Sequence, residues 1–118
     1  MKRAFVIEAC KVPVERAAVH GVLTYLWSGS DRRSSIWSPA FGEELTARLA
    51  DVEFNHDEDM LVVAGDTVPI VIAVAKIVAM YGHVKVLFWD ASSREYRPRV
   101  VGDEYSPVNT ALHDRKAI

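Results

Sequence analysis

The sequence predicts a single small α/β domain over residues 1–102: a mostly parallel sheet of about five strands with helices packed on it and a C-terminal β-hairpin. Three observations carry this. Apolar runs of strand character alternate with segments of helical periodicity, the order that builds βαβ units. Residues 60–90 read as strand, helix, strand, with Gly65 and Gly82 at the breaks. Residues 95–101 return after the short polar turn 90–94, as a hairpin requires. A chain of 118 residues, half apolar and a quarter charged, can bury one core but is too short for two.

Residues 3–10 place Phe5, Val6 and Ile7 in a weakly alternating run, the first strand. Residues 14–20 read as a short helix closed by Gly21 as a left-handed cap, and the β-branched and aromatic residues 22–27 as the second strand. Residues 28–35 have nothing to bury and read as a mobile loop. Ser38 and Pro39 offer an N-cap hydroxyl and a first-turn proline to a second helix. In it Phe41, Leu45, Leu49 and Val52 recur at helical spacing up to Phe54, with Glu43, Glu44 and Arg48 toward water. Residues 60–64 form a short continuous apolar strand of the kind covered on both faces.

Asp66 or Thr67 caps the helix that follows, which runs to Tyr81. Its valines and isoleucines are poor helix formers, so burial must hold it. Ile70, Val71, Val74, Ile77, Val78 and Tyr81 are assigned to the sheet side, while the opposite side carries Ile72, Ala73, Ala79 and Met80 with Lys76 as its one polar group. A helix apolar all round is normally buried all round, so a further surface must cover it. Residues 83–89 form the next strand, and a turn centred on Ser92 and Ser93 sets Trp89 opposite Tyr96 and Phe88 opposite Arg97. Pro98 cannot donate to a ladder, which places residues 95–101 at an edge. Residues 103–118 are polar and irregular, a tail that is flexible or docks on a partner.

The formal charge of −2 and a pI of about 6.1 argue against broad phosphate-backbone binding. Cys10 is the one cysteine, so no intrachain disulfide can form and a reducing cytoplasmic location is implied. The basic start of the chain is unlike a signal peptide beyond Ile7, because Glu8 and Lys11 cut the apolar stretch short. Asp66, Pro69 and Lys76 interrupt the longest apolar region before it reaches the roughly 20 residues a bilayer needs, so no membrane span is expected.

Ligands of open α/β sheets lie beyond the carboxyl ends of the strands, where Gly65, Asp66 and Thr67 approach Asp90, Ser92 and Ser93. Asp66 would repel a phosphate from the helix N-terminus, leaving a ribose or amine contact. The plainer reading, Asp66 as a cap and Asp90 as a turn former, is favoured. The acidic run Asp51, Glu53, His56, Asp57, Glu58 and Asp59 lacks the pattern of an EF-hand and the nitrogen or sulfur that zinc prefers; it reads as a solvated connection, and no metal is expected. Cys10, with His20 or His56 as base, has no supporting motif and reads as a buried thiol. His20, His83 and His113 show no paired spacing.

No catalytic set and no cofactor are implied, which favours a binding protein over an enzyme. Arg32, Arg33, Arg94, Arg97 and Arg99 interleave with Trp27, Trp37, Trp89 and Tyr96 in the composition of a protein interface, and the negative balance disfavours nucleic acid. With the second apolar helix face, this gives a candidate interface of Ile72, Ala73, Lys76, Met80, Trp89, Tyr96, Arg97 and Arg99, and a homodimer is expected.

Residues 2–9, the His20-Gly21 pair ahead of an aromatic strand, residues 59–65 and 86–90, and Tyr96-Arg97-Pro98-Arg99 together resemble small bacteriophage-encoded α/β proteins. The resemblance implies an accessory protein in the cytosol of an infected cell, with a host protein as partner, and carries no site residues. The alternative function is binding or hydrolysis of a nucleotide-like small molecule at the carboxyl edge of the sheet.

Overall fold

Five strands form one sheet in the order β2-β1-β3-β4-β5, comprising β1 (Arg3–Val6), β2 (Val22–Tyr25), β3 (Met60–Val62), β4 (His83–Asp90) and β5 (Glu95–Gly102). The first four are parallel, and β5 closes the edge antiparallel to β4. A 3-10 turn (Glu15–Val19), α1 (Ala40–Asp51) and α2 (Thr67–Tyr81) connect them. This computed structural model describes residues 1–28 and 31–102, so the expectations for Gly29, Ser30 and the tail 103–118 lie outside the described residues.

The chain steps one way from β1 to β2, then back past β1 to β3 and β4. Right-handed crossovers therefore require the first connection on one face of the sheet and both α-helices on the other. The core divides accordingly. Phe5, Leu61, Val84 and Val86 meet Phe41, Leu45 and Leu49 of α1 and Ile70, Ala73 and Ile77 of α2. On the opposite face Ala4, Val6, Met60, Val62 and Leu87 meet Val14, Ala17 and Tyr96.

Several local expectations are corrected. The helix expected over residues 14–20 is a single 3-10 segment, clamped to the hairpin where His20 Nε2 lies 2.7 Å from the Tyr96 carbonyl and Tyr96 Oη donates to the Pro13 carbonyl at 3.3 Å. Gly21 is not its left-handed cap, since His20 holds the C-cap in ordinary right-handed conformation. Glycine suits the position for a different reason: a Cβ there would lie 3.0 Å from the Lys2 carbonyl oxygen. β1 and β2 are shorter than expected, although Leu26 and Trp27 still donate to Val6 and Ile7. In the described part of the segment read as a mobile loop, Glu44 of α1 accepts from the Arg33 and Ser34 amides at 2.7 Å each, contacts that lower the pKa of its carboxyl.

α2 has the expected bounds, with Asp66 accepting from the Val68 amide at 3.1 Å and Gly82 closing it at φ 91°. Ile70, Val74, Ile77 and Val78 pack on the core as expected, but the edges of the buried arc differ. Ala73, expected outside, is 1% exposed, whereas Val71, expected on the sheet, is 59% exposed. The cause is α1, which shares this face, so the buried arc of α2 spans both sheet and neighbouring helix. Lys76 lies over Gly42 of α1, where a Cβ would meet its Cε at 2.9 Å.

At the amino edge Asp59 is 1% exposed, the one buried polar or charged residue among the described residues. Its Oδ1 accepts from the Arg3 amide and Nε at 3.2 Å, and its Oδ2 from Arg3 Nη2 and the Asn55 amide at 2.8 Å. Arg3 also donates to the carbonyls of Val52 and Glu53 at 2.9 Å, just beyond α1. The bond to Asp59 raises the Arg3 pKa further, keeping the guanidinium charged. Removing Arg3, itself 22% exposed, strands the buried Asp59 carboxylate. Arg3→Ala should therefore cost about 3–5 kcal/mol in urea denaturation, whereas the exposed Asp57→Asn should cost less than about 0.5 kcal/mol.

Candidate functional site

Three surfaces are candidates for a functional site, and the carboxyl edge of the sheet is the first. The loops after β1 and β3 diverge there, the switch point at which open α/β sheets take ligands. They enclose a cleft of about 80 Å³ lined by Ile7, Glu8, Cys10, Gly65, Asp66 and Pro69 among others. At roughly 30 Å³ per water this is room for two or three waters, against the roughly 300–1,000 Å³ of small-molecule pockets. Gly65, at φ 82°, has its Cα pressed toward Cys10, whose Cβ a side chain would meet at 3.0 Å.

The polar groups at this edge are engaged in local structure. Asp66 caps α2, and Glu8 pairs with Arg32 at 3.0 Å. Asp90 Oδ1 accepts from the Ser92 amide at 3.0 Å and Oδ2 from Arg97 at 3.2 Å, and these bonds, with Ser93 contributing, hold its carboxyl below the usual aspartate range. Thr67, Ser92 and Ser93 are exposed, and the Gly65–Asp66 cleft and the hollow beside Asp90 are separate. The sequence-predicted ligand residues thus share an edge without sharing a cavity.

The second surface is apolar. Along the outside of α2, Val71, Ala75 and Ala79 are exposed and Val68, Ile72, Val74 and Val78 are half-buried beside them. No charged side chain lies on this arc, because Lys76 is turned over α1. Met80 and Tyr81 are each 40% exposed at its C-terminal end. On the hairpin the expected register holds, with Trp89 facing Tyr96 and Phe88 facing Arg97. Phe88 and Trp89 are exposed on opposite faces of the edge, and Arg97 and Arg99 flank Phe88. Trp89 packs edge-on against Tyr96 with centroids 5.2 Å apart. Of the candidate interface residues, Ala73 and Tyr96 are buried within the chain; Ile72 and Lys76 are half-buried, and Met80, Trp89, Arg97 and Arg99 are exposed. Burial, with repulsion from Cys10 and Glu15, pushes the Tyr96 phenol pKa up.

The third surface is one that sequence reasoning missed. At the amino edge, His56 stacks on Tyr81 with centroids 4.5 Å apart, and His83 meets His56 edge-on at 5.1 Å. Asp57 Oδ1 lies 3.6 Å from His56 Nε2 and 3.8 Å from His83 Nε2. No spacing in the chain signals this. The signal is topological, because Met60 pairs with Lys85 in parallel register and brings the residues ahead of β3 beside those that start β4.

Fold and surfaces together define a small α/β protein with an antiparallel edge hairpin and an apolar helix face that is left exposed among the described residues. The chain belongs to the Phage Pam3 gp32-like protein family, which residues 7–102 match. The match begins just past β1 and ends with β5, so it takes in both helices and the hairpin. Comparison with curated proteins and with solved structures gave no match. No helix among the described residues is long and apolar enough to cross a membrane.

The Asp90 contacts set a pH dependence. A carboxyl whose folded pKa is depressed stabilises the fold fully above its unfolded value, about 3.9, and loses that contribution as pH falls through the lower folded value. Thermal melts between about pH 5 and pH 2 should show a shallower acid-side decline for Asp90→Asn than for the parent chain.

Proposed function

We propose that this phage-family protein acts through protein contacts in the cytosol of the infected cell, as an accessory factor that self-associates along the outer face of α2. The supporting observation is the uncharged stripe Val71, Ala75 and Ala79 with half-buried valine and isoleucine on both flanks. Water gains nothing from such a face, and each fully buried valine contributes about 1.5–3 kcal/mol. A second copy is the occupant that fits best. A two-fold axis sets the stripe against itself, and its two alanines allow close approach of the helices. A charged partner would find no counter-charge on the arc.

A standard interface covers roughly 800 Å² per partner, more than three side chains supply. Met80 and Tyr81 extend the stripe at its end. The hairpin remains accessible in this arrangement, and its Trp89, Arg97 and Arg99 have the composition that dominates protein interfaces. It is the surface offered to a host protein, and the net charge of −2 weighs against nucleic acid there.

Sedimentation equilibrium at micromolar concentration should give a dimer. Val71→Asp, at an exposed position, should give a monomer with an unchanged circular dichroism spectrum. A parent chain that sediments as a monomer would overturn the proposal.

A further inference from the structure

We infer that His56, Asp57 and His83 form a binding site for a divalent late first-row metal ion, with zinc as the reference case. Among the described residues these are the one group of three ligating side chains whose donor atoms all lie within 4.8 Å of one another. Both imidazoles direct Nε2 at the same carboxylate oxygen, at 3.6 and 3.8 Å. Ligands about 2.05 Å from a tetrahedral zinc stand about 3.4 Å apart, so the Asp57 edges of that tetrahedron are nearly formed. A swing of Asp57, which is 72% exposed, shortens those two edges, and a small adjustment of the rings closes the third, between imidazole nitrogens that lie within 4.8 Å.

The chemistry of the donor set selects the metal. Two neutral imidazoles and one carboxylate suit zinc, cobalt, nickel or copper, whereas calcium and magnesium require oxygen. Three protein ligands leave a fourth tetrahedral position for water, the open form of a zinc site.

The backbone around the ligands is fixed before any metal arrives. His56 stacks on the Tyr81 ring and meets the His83 ring at a steep angle. The Asp57 amide donates to Asn55 Oδ1 at 2.9 Å, and Asn55 donates its own amide to buried Asp59. His83 follows the left-handed Gly82 cap and enters β4 paired to Gly102. The loop ahead of β3 and the corner between α2 and β4 thus contribute ligands from separate parts of the chain, so a bound metal would cross-link them. The inference does not depend on self-association.

Isothermal titration of the chelator-stripped full chain with zinc chloride should give one ion per chain and a raised Tm. Cobalt should give the d–d absorption of a low-coordinate nitrogen and oxygen site. Loss of an outer-shell partner alone typically weakens a metal site about 10–100-fold. Asp57→Asn and His83→Gln should each therefore weaken zinc by at least about tenfold. Asp57→Asn, being exposed, should leave the metal-free Tm unchanged, which separates ligand loss from misfolding. Absence of stoichiometric binding, binding unchanged in Asp57→Asn, or binding abolished by Cys10→Ser would each overturn the site.

Discussion

Asp59 sits at 1% exposure at the start of β3, and both of its oxygens are occupied by donors from two other parts of the chain. One buried carboxylate can be tolerated only if its hydrogen-bonding capacity is met. Arg3 meets it with backbone and side chain at once, and directs two further donors to the carbonyls that follow α1. The start of β1, the start of β3 and the exit of α1 are thereby fixed to one another. Glu53 enters this corner at φ 54°, a left-handed conformation that the surrounding bonds hold in place. The Asn55–Asp57 turn hangs from the same carboxylate, so the position of His56 and Asp57 relative to β4 follows from it.

With the amino edge fixed, the strand order does the rest. Sheet order β2-β1-β3-β4 sends the first connection to one face and both helices to the other, and the two helices then crowd together. That crowding orients α2. Its buried residues serve both the sheet and α1, and the arc left outside is Val71, Ala75 and Ala79. The exposed apolar face is thus a geometric consequence of two helices sharing a side, and it sits on an element with little helix propensity of its own.

Much of the fold was legible because the signals were local. Glycine and aspartate punctuation bounded α2, apolar runs identified the central strands, and Pro98 placed the last strand at an edge. The hairpin register followed from its turn. What could not be read depended on partners distant in sequence. Gly21 looked like a cap but serves close approach to Lys2; Ile70 and Ile77 of α2 face the core as expected, but α1 widens the buried arc so that Ala73 lies inside while Val71 lies outside. Asp59 was grouped with a solvated acidic run because nothing next to it announces Arg3. The ligand reading of Gly65 and Asp90 rested on their shared edge, which is real, but the side chains there are consumed by capping and turn bonds. His83 was separated from His56 and Asp57 by a whole helix, and only the parallel register unites them.

The central claim is that the outer arc of α2 is covered by the same arc of a second copy, and proximity across that axis tests it most directly. In a Cys10→Ser background, Ala75→Cys puts a thiol on the stripe, while Ala47→Cys puts one on the exposed side of α1. Under mild oxidation Ala75→Cys should convert rapidly to a disulfide-linked dimer and Ala47→Cys should not. Equal slow cross-linking of both, or none at position 75, would contradict the account.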